Sequence, residues 1–556
     1  FGKWKEKKNQ IIASQIRFGK LEREYVECIY HLTSRITNQK LSQWIQEAFQ
    51  LEQPRKSMIP HIIEEKYHFP EKKESMLEVH HPTSTLKLKK ARTRLKYEEL
   101  FLFLYRMNVL KNERKKELGL PRMISDEKLE QLLTHLPFTL TADQKEAVEE
   151  IKKDLTSKTR MNRLVQGDVG SGKTIVAFIA SYMNYLNGYQ TAFMAPTEIL
   201  ATQHYQKAKE LLEPYGMHIA LLTGKLKASE KKEIQEKIQQ GVYDLVIGTH
   251  ALISDKVTYS NLGLVITDEQ HRFGVQQRRE LKNKGTTPDI LYMSATPIPR
   301  TYALTIYGDM DVSSIKTRPS GRKEIITELY HEKNIKEVLT KMYEQLEMGH
   351  QIYVIAPLIE DQEESDMKAV DTMYENMKKA FGKKYQIGML HGKQDGKTKE
   401  EVMNAFQDNE LQILISTTVI EVGVDVANAT MMVIFNAERF GLSQLHQLRG
   451  RVGRNDLQSY CILVSNYDKE RLQILTKVSD GFQISEEDFK LRGSGDFFGN
   501  RQSGDMSFQI ASIYHDFPIF KHAREDVIAF LENPVYLDQE EKERFVQFQK
   551  NITHLD

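Results

Sequence analysis

Cysteine is nearly absent: two residues, Cys28 and Cys461, stand far apart in a chain of 556. Their number and spacing exclude a disulfide framework and a Cys-rich zinc site, and they fit a reducing compartment. An excess of one charge sign is also lacking. Seventy-eight Lys and Arg face 77 Asp and Glu, a net charge of +1. No global field therefore draws the chain to a polyanion, and any such contact must come from local patches. No run of about 18 apolar residues occurs, so no segment reads as a membrane-spanning helix. The chain opens on Phe1 inside what reads as a strand, with nothing like a signal peptide, so the N-terminus is expected to be cut away. What remains, 40% apolar and 28% charged, is ordinary globular composition. The length predicts about three to four domains.

Against that plain background one loop stands out, Gly167-Asp168-Val169-Gly170-Ser171-Gly172-Lys173-Thr174. It fits the phosphate-cradling pattern G-x-x-x-x-G-K-[ST]. Gly167, Gly170 and Gly172 permit backbone angles that turn successive N–H groups, Ser171's among them, toward an anion. Lys173 is placed to neutralise the β- and γ-phosphates of ATP, and the Thr174 hydroxyl to hold Mg²⁺. The flanks agree. Arg163–Gln166 reads as a short buried strand, and TIVAFIASYMNYLNG as a helix stopping at Gly188. That helix turns the positive end of its dipole to the phosphates.

The surrounding chain alternates strand and helix. Apolar runs at 163–166, 190–195, 219–222, 244–247, 264–267 and 290–293 argue for βα units and a parallel sheet. The helix ahead of them opens at a cap-like Thr141. The pattern pauses at Arg318-Pro319-Ser320-Gly321-Arg322, which reads as a linker, and resumes with runs at 351–356, 387–390, 413–416, 431–435 and 459–464. The fold class is therefore α/β, with two parallel-sheet lobes. Only the first carries a phosphate loop, so the two lobes are expected to close on one nucleotide.

The remaining chemistry lies where strands end. Leu264–Thr267 runs into Asp268-Glu269-Gln270-His271; Asp268 is assigned to Mg²⁺, partly through water, and Glu269 to the general base. Met293-Ser294-Ala295-Thr296-Pro297 offers hydroxyls that could link the γ-phosphate site to the neighbouring lobe. In the second lobe, Gln447-Leu448-Arg449-Gly450-Arg451-Val452-Gly453-Arg454 sets arginines beside glycines. Guanidinium groups stay protonated and fork onto oxygens, so this stretch reads as arginine fingers for the other lobe's ATP. Gln447, Arg451 and Arg454 join the catalytic set.

Ahead of the first lobe the reading is coarser. Residues 1–18 alternate loosely, as the end of a small β-module would. From about Tyr30 the pattern is helical, and KLSQWIQEAFQ puts Leu41, Trp44, Ile45 and Ala48 on one face, with Trp44 read as packing. Residues 87–117 hold eleven Lys/Arg against four Glu. They read equally as a solvated helix face or as a patch, including Arg92, Arg94 and Lys96, that contacts a nucleic-acid backbone.

GDVGSGKT, APTEILA, DEQH, SATP, TTVIEVGVD and QLRGRVGR follow the order of motifs in superfamily-2 helicases and translocases. DEQHRFGVQQR, MSATPIPRT, ERFGLSQLHQLRGRVGR and DGFQISEEDFKLRGSGDFFGNRQSG narrow this, and HFP at 68–70 and ARTRLKYEELF at 91–101 extend it. Over nearly its whole length the chain resembles the RecG family of bacterial branch-migration helicases. The resemblance implies two tandem RecA-like lobes, at 126–320 and 321–480. A mainly helical linker at 19–125 precedes them, behind a remnant of an N-terminal oligonucleotide-binding β-barrel (wedge) domain at 1–18, and a helical-hairpin region follows at 481–556. It implies adenine contacts from Phe138 and Gln144, and a nucleotide- and DNA-facing role for Asp425. It further implies coupling of lobe closure to the duplex through Arg492, Gly493, Gly495, Arg501 and Gln502. The implied activity is ATP-driven translocation on double-stranded DNA, remodelling forks and Holliday junctions in recombination and repair. The implied setting is the bacterial cytoplasm, as a monomer, with single-stranded DNA-binding protein as a further partner and no membrane. Only the last strands of the family's barrel are expected here. Two other readings stay open: the motor of a transcription-repair coupling factor, and a scaffold in which ATP gates DNA binding without turnover.

Overall fold

The computed structural model describes every residue except 1, 6–9, 14–27, 31–35, 52–55, 115–117, 270–276, 278–279, 282, 286, 296, 298–309, 318–322, 357–362, 392–393, 395, 418–425, 454, 468–469, 493–507, 514, 534–536 and 554–556. The chain divides into two units, residues 1–106 with 507–556, and residues 107–506.

In the first unit, β1 (Gly2–Lys5) and β2 (Gln10–Ala13) pair as an antiparallel hairpin. The other described elements are helices: Asn38–Leu51, His61–Lys66, Lys72–His80, the first part of Thr85–Arg114, Phe517–Glu532 and Gln539–Thr553. Residues from the two ends of the chain share one core, where Phe101 meets Phe530 and Phe545 edge-on at 6.0 and 6.4 Å. Glu99 ties the ends together by accepting from the backbone N–H groups of Gln509, Ile510 and Ala511.

Two sequence expectations change here. Trp44 is 45% exposed, with Lys40 Nζ 5.3 Å from its ring. Its helix instead turns Phe49 toward His80 on the neighbouring helix, ring centroids 6.2 Å apart. Arg94 does not belong to a nucleic-acid patch. It is wholly buried and spends its donors on Glu98, Glu64 and Ser57. Fully buried, that guanidinium is out of a phosphate's reach.

The second unit holds two parallel sheets, because each crossover helix lays its apolar stripe on a sheet face. The first sheet comprises β3 (Asn162–Gly167), β4 (Gln190–Met194), β5 (Ile219–Leu222), β6 (Leu245–Gly248), β7 (Leu262–Thr267), β8 (Asp289–Ser294) and β9 (Asp311–Ile315). Their order is β5-β6-β4-β7-β8-β3-β9. The second comprises β10 (Ile326–Tyr330), β11 (Gln351–Ile355), β12 (Ile387–Leu390), β13 (Ile413–Ser416), β14 (Ala429–Phe435) and β15 (Tyr460–Val464), in the order β10-β15-β14-β11-β13-β12. The eleven expected strands are all present. The two that were not expected, β9 and β10, are edge strands, partly exposed and therefore not uniformly apolar. The expected linker at 318–322 falls between them, outside the described residues.

Candidate active site

The phosphate loop leaves β3 at its carboxyl end, where parallel α/β sheets place their ligands. Gly170 and Gly172 take φ of 75° and 84°, and helix Lys173–Tyr185 starts directly behind them. From below, the loop is held by helix Ala142–Thr156. Its first turn is a capping box: Thr141 Oγ1 accepts from Gln144 N, and Gln144 Oε1 accepts from Thr141 N. The same side chain's Nε2 donates to Ser171 O at 2.8 Å. It fills the space above Gly172, where a Cβ would stand 2.2 Å from that nitrogen. Gln144 therefore braces the cradle. Phe138, just before this helix, is 49% exposed.

Inside the cradle Lys173 Nζ donates to Gly167 O at 2.8 Å and Asp168 O at 2.9 Å. Ser171 Oγ is buried and has no hydrogen-bond partner. A buried hydroxyl left this way costs free energy unless a ligand answers it, so the loop fits a polyphosphate. Thr174 is half-buried at the next position of the helix.

β7 delivers the carboxylates. Asp268 is buried, and its Oδ2 meets His204 Nε2 at 3.0 Å. Burial pushes the Asp268 carboxyl up, but His204's hydrogen bond and charge, with Lys173's charge, bring it below its usual value. Glu269 goes the other way. Burial and the adjacent Asp268 raise it, while Lys173 and Arg451 oppose the rise. Its backbone is left-handed at φ 49°, a conformation that costs a non-glycine residue energy and collects at functional sites. Its Oε2 accepts from Ala295 N at the end of β8, at a long 3.4 Å. One carboxyl held below its usual value beside one raised above it suits a metal ligand next to a base.

The second lobe reaches this cleft through helix Leu442–Arg449. Arg451 is buried just beyond it and close enough for its charge to bear on Glu269. Gln447 is half-buried on the helix itself. Arg449 is not a finger. It turns inward, donating to the carbonyls of Leu475, Val478 and Ser479. Asp425, Arg454, Gly493, Gly495, Arg501 and Gln502 lie outside the described residues. Arg492 ends helix Gly481–Arg492, and its side chain is likewise outside them. Sequence reading missed His204 and His446. Each answers an aspartate from another element, and a lone histidine in a helix carries no local mark of that.

Residues 141–304 match the DEAD/DEAH box helicase family, 332–456 the helicase conserved C-terminal domain, and 478–555 the C-terminal part of domain 3 of the ATP-dependent DNA helicase RecG. The chain is 44% identical over 548 residues to the ATP-dependent DNA helicase RecG of Bacillus subtilis, covering 96% of this chain and 80% of that protein. It is 45% identical over 532 residues to its counterpart in Streptococcus pneumoniae, covering 94% and 79%. Among solved structures, RecG bound to a three-way DNA junction superposes with a TM-score of 0.74 at 41% identity, covering 94% of this chain and 70% of that one.

Proposed function

The chain belongs to the RecG family of ATP-dependent DNA helicases, and on that premise we propose that it translocates on double-stranded DNA to remodel forks and Holliday junctions, by fork reversal and branch migration in recombination and repair. The relative solved on a three-way DNA junction supports branched DNA as the substrate. The observation that carries the motor reading is the meeting of two lobes at one nucleotide cradle. Arg451 of the second lobe bears on Glu269 of the first, beside Lys173. The coupling-factor motor is not favoured, given identity to RecG proteins along nearly the whole chain.

In this reading Gly167, Gly170, Ser171, Gly172 and Lys173 bind the phosphates, while Phe138 and Gln144 flank the base. Thr174 and Asp268 offer hard oxygen ligands to Mg²⁺, which when bound supplies positive charge to the phosphate oxygens. His204 keeps Asp268 oriented. Glu269, its carboxyl raised above the usual glutamate value by burial and Asp268, takes the proton of the attacking water in its ionised form. Arg451 and Arg454, with Gln447, complete the charge balance only when the second lobe is in place. Asp425 is given the nucleotide- and DNA-side role that its family position implies. Arg492, Gly493, Gly495, Arg501 and Gln502 carry the movement to the duplex. DNA contacts are mostly to phosphates, since a motor must ignore sequence. The protein works in the bacterial cytoplasm as a monomer, with single-stranded DNA-binding protein as a partner.

The test is steady-state ATP hydrolysis with and without a branched DNA. Stimulation by the junction is expected. ATP binding without turnover would instead indicate the clamp-like scaffold.

A further inference from the structure

The phosphate loop touches the second lobe at a residue that the pattern G-x-x-x-x-G-K-[ST] leaves unspecified. Asp168 Oδ1 meets His446 Nε2 at 2.6 Å, with both side chains buried. On the other side of the ring, His446 Nδ1 lies 2.9 Å from an Arg449 guanidinium nitrogen. A guanidinium has donors only, so Nδ1 must accept. The proton therefore sits on Nε2 and is donated to Asp168. Arg449 also donates to the carbonyls of Leu475, in helix Glu470–Lys477, and of Val478 and Ser479, in the turn that leads into helix Gly481–Arg492. The relay is continuous from loop to helix.

Two further facts single out Asp168. Its main-chain oxygen accepts from Lys173 Nζ, so one residue holds both the phosphate-binding lysine and the histidine of the other lobe. The contact also leaves no spare room. A Cβ on Gly481 would stand 2.8 Å from His446 Nε2 and 2.9 Å from Asp168 Cγ. Phosphates in the cradle would compete with Gly167 O and Asp168 O for Lys173, and drawing the lysine away removes one of the hydrogen bonds on the Asp168 carbonyl, which Ser171 N–H also holds at 3.1 Å.

We propose that His446 is a positioning residue of the ATPase cycle, reading the setting of Asp168 and passing it through Arg449 to the 475–481 turn. This route is separate from the arginine fingers: it senses the loop beneath the phosphates rather than the charge on them. The proposal rests on the motor reading above.

The full chain is assayed for hydrolysis on a branched three-strand DNA with ATP varied. His446→Ala is expected to lower the DNA-stimulated kcat about tenfold, a usual size for coupling between sites. Its KM for ATP should move less than about twofold, because no phosphate contact is lost. His446→Gln, whose amide can donate to Asp168 and accept from Arg449, is expected to restore most of the rate. Gly481→Ala, which wedges the pair apart while keeping both side chains, is expected to repeat the His446→Ala pattern. It decides the matter if His446→Ala fails to fold. Wild-type kinetics in His446→Ala would overturn the proposal, as would kcat and KM failing together without rescue by glutamine. If the wild-type chain itself shows no DNA-stimulated turnover, the motor reading falls, and this one with it.

Discussion

The hydroxyl of Tyr97 donates to Asp526 Oδ2 at 2.6 Å, joining residues 429 positions apart in sequence. Lys66 Nζ and Tyr67 Oη converge on the same carboxylate. One aspartate near the C-terminus thus satisfies three groups of the N-terminal helices.

Replacing it should loosen the whole unit formed by residues 1–106 and 507–556. Tyr97 is only 2% exposed, so in Asp526→Ala its hydroxyl is stranded, at a cost of about 1–3 kcal/mol. Tyr97→Phe, which removes the donor with the need for it, should cost only about 0.5–1.5 kcal/mol. Urea unfolding followed by circular dichroism measures both. Equal effects would show that the carboxylate is not the hub.

Arg94 offers a second stability test. Its side chain is fully buried, bonded to Glu98 Oε2 at 2.5 Å and Glu64 Oε1 at 3.0 Å. Arg94→Ala leaves Glu98 buried and short of its partner, so a loss of about 3–5 kcal/mol is expected. In the intact protein burial raises the Glu98 carboxyl, but the charges of Arg94 and Lys72 and the Met58 N–H bring it below its usual value. A depressed carboxyl stabilises the fold above its unfolded pKa of about 4.3, and that contribution disappears as pH falls through the lower folded value. Acid unfolding of the wild type should therefore outlast that of Arg94→Ala on the way down.

Lys173→Ala should abolish ATP hydrolysis and leave DNA binding largely intact, since the side chain lies inside the cradle on Gly167 O and Asp168 O. Turnover by this variant, measured by phosphate release, would overturn the site assignment.

Glu269→Gln should retain ATP binding and lose about 10²–10⁴ in kcat, the range for a positioned general base. The base works ionised, and burial with the neighbouring Asp268 raises its carboxyl. The wild-type rate should therefore fall, as pH is lowered, at a pH above the usual glutamate value of about 4.3. The glutamine variant should lack that acid limb in a kcat–pH profile.

The two thiols should separate cleanly. Cys461 is buried in β15, and burial pushes its thiol up to about 12. Cys28 is only half-buried, with Sγ on Val79 O at 2.8 Å. Alkylation of the native protein near about pH 8 should modify Cys28 alone, because thiolate is the reacting form. Cys461 should follow only after denaturation. Mass spectrometry of the digest reads the sites.

The sequence by itself determined the parts that depend on neighbours along the chain. The phosphate loop, its strand and its helix are one continuous segment, where glycine angles and apolar period leave little choice. Asp268 and Glu269 were legible because they terminate an apolar run, and Thr141 because capping is local chemistry. What depends on other segments was decided only by tertiary structure. Arg94 and Arg449 look like available cations in sequence, yet both are consumed inside the protein, one by carboxylates and the other by backbone carbonyls. Asp168 and His446 carry no local mark of each other, since 278 positions separate them, and only the packing of the two lobes brings them to hydrogen-bonding distance. The edge strands β9 and β10 escaped notice for a related reason. With one neighbour and partial exposure they need no uniform apolar run, so the pattern that marks a central strand was never required of them.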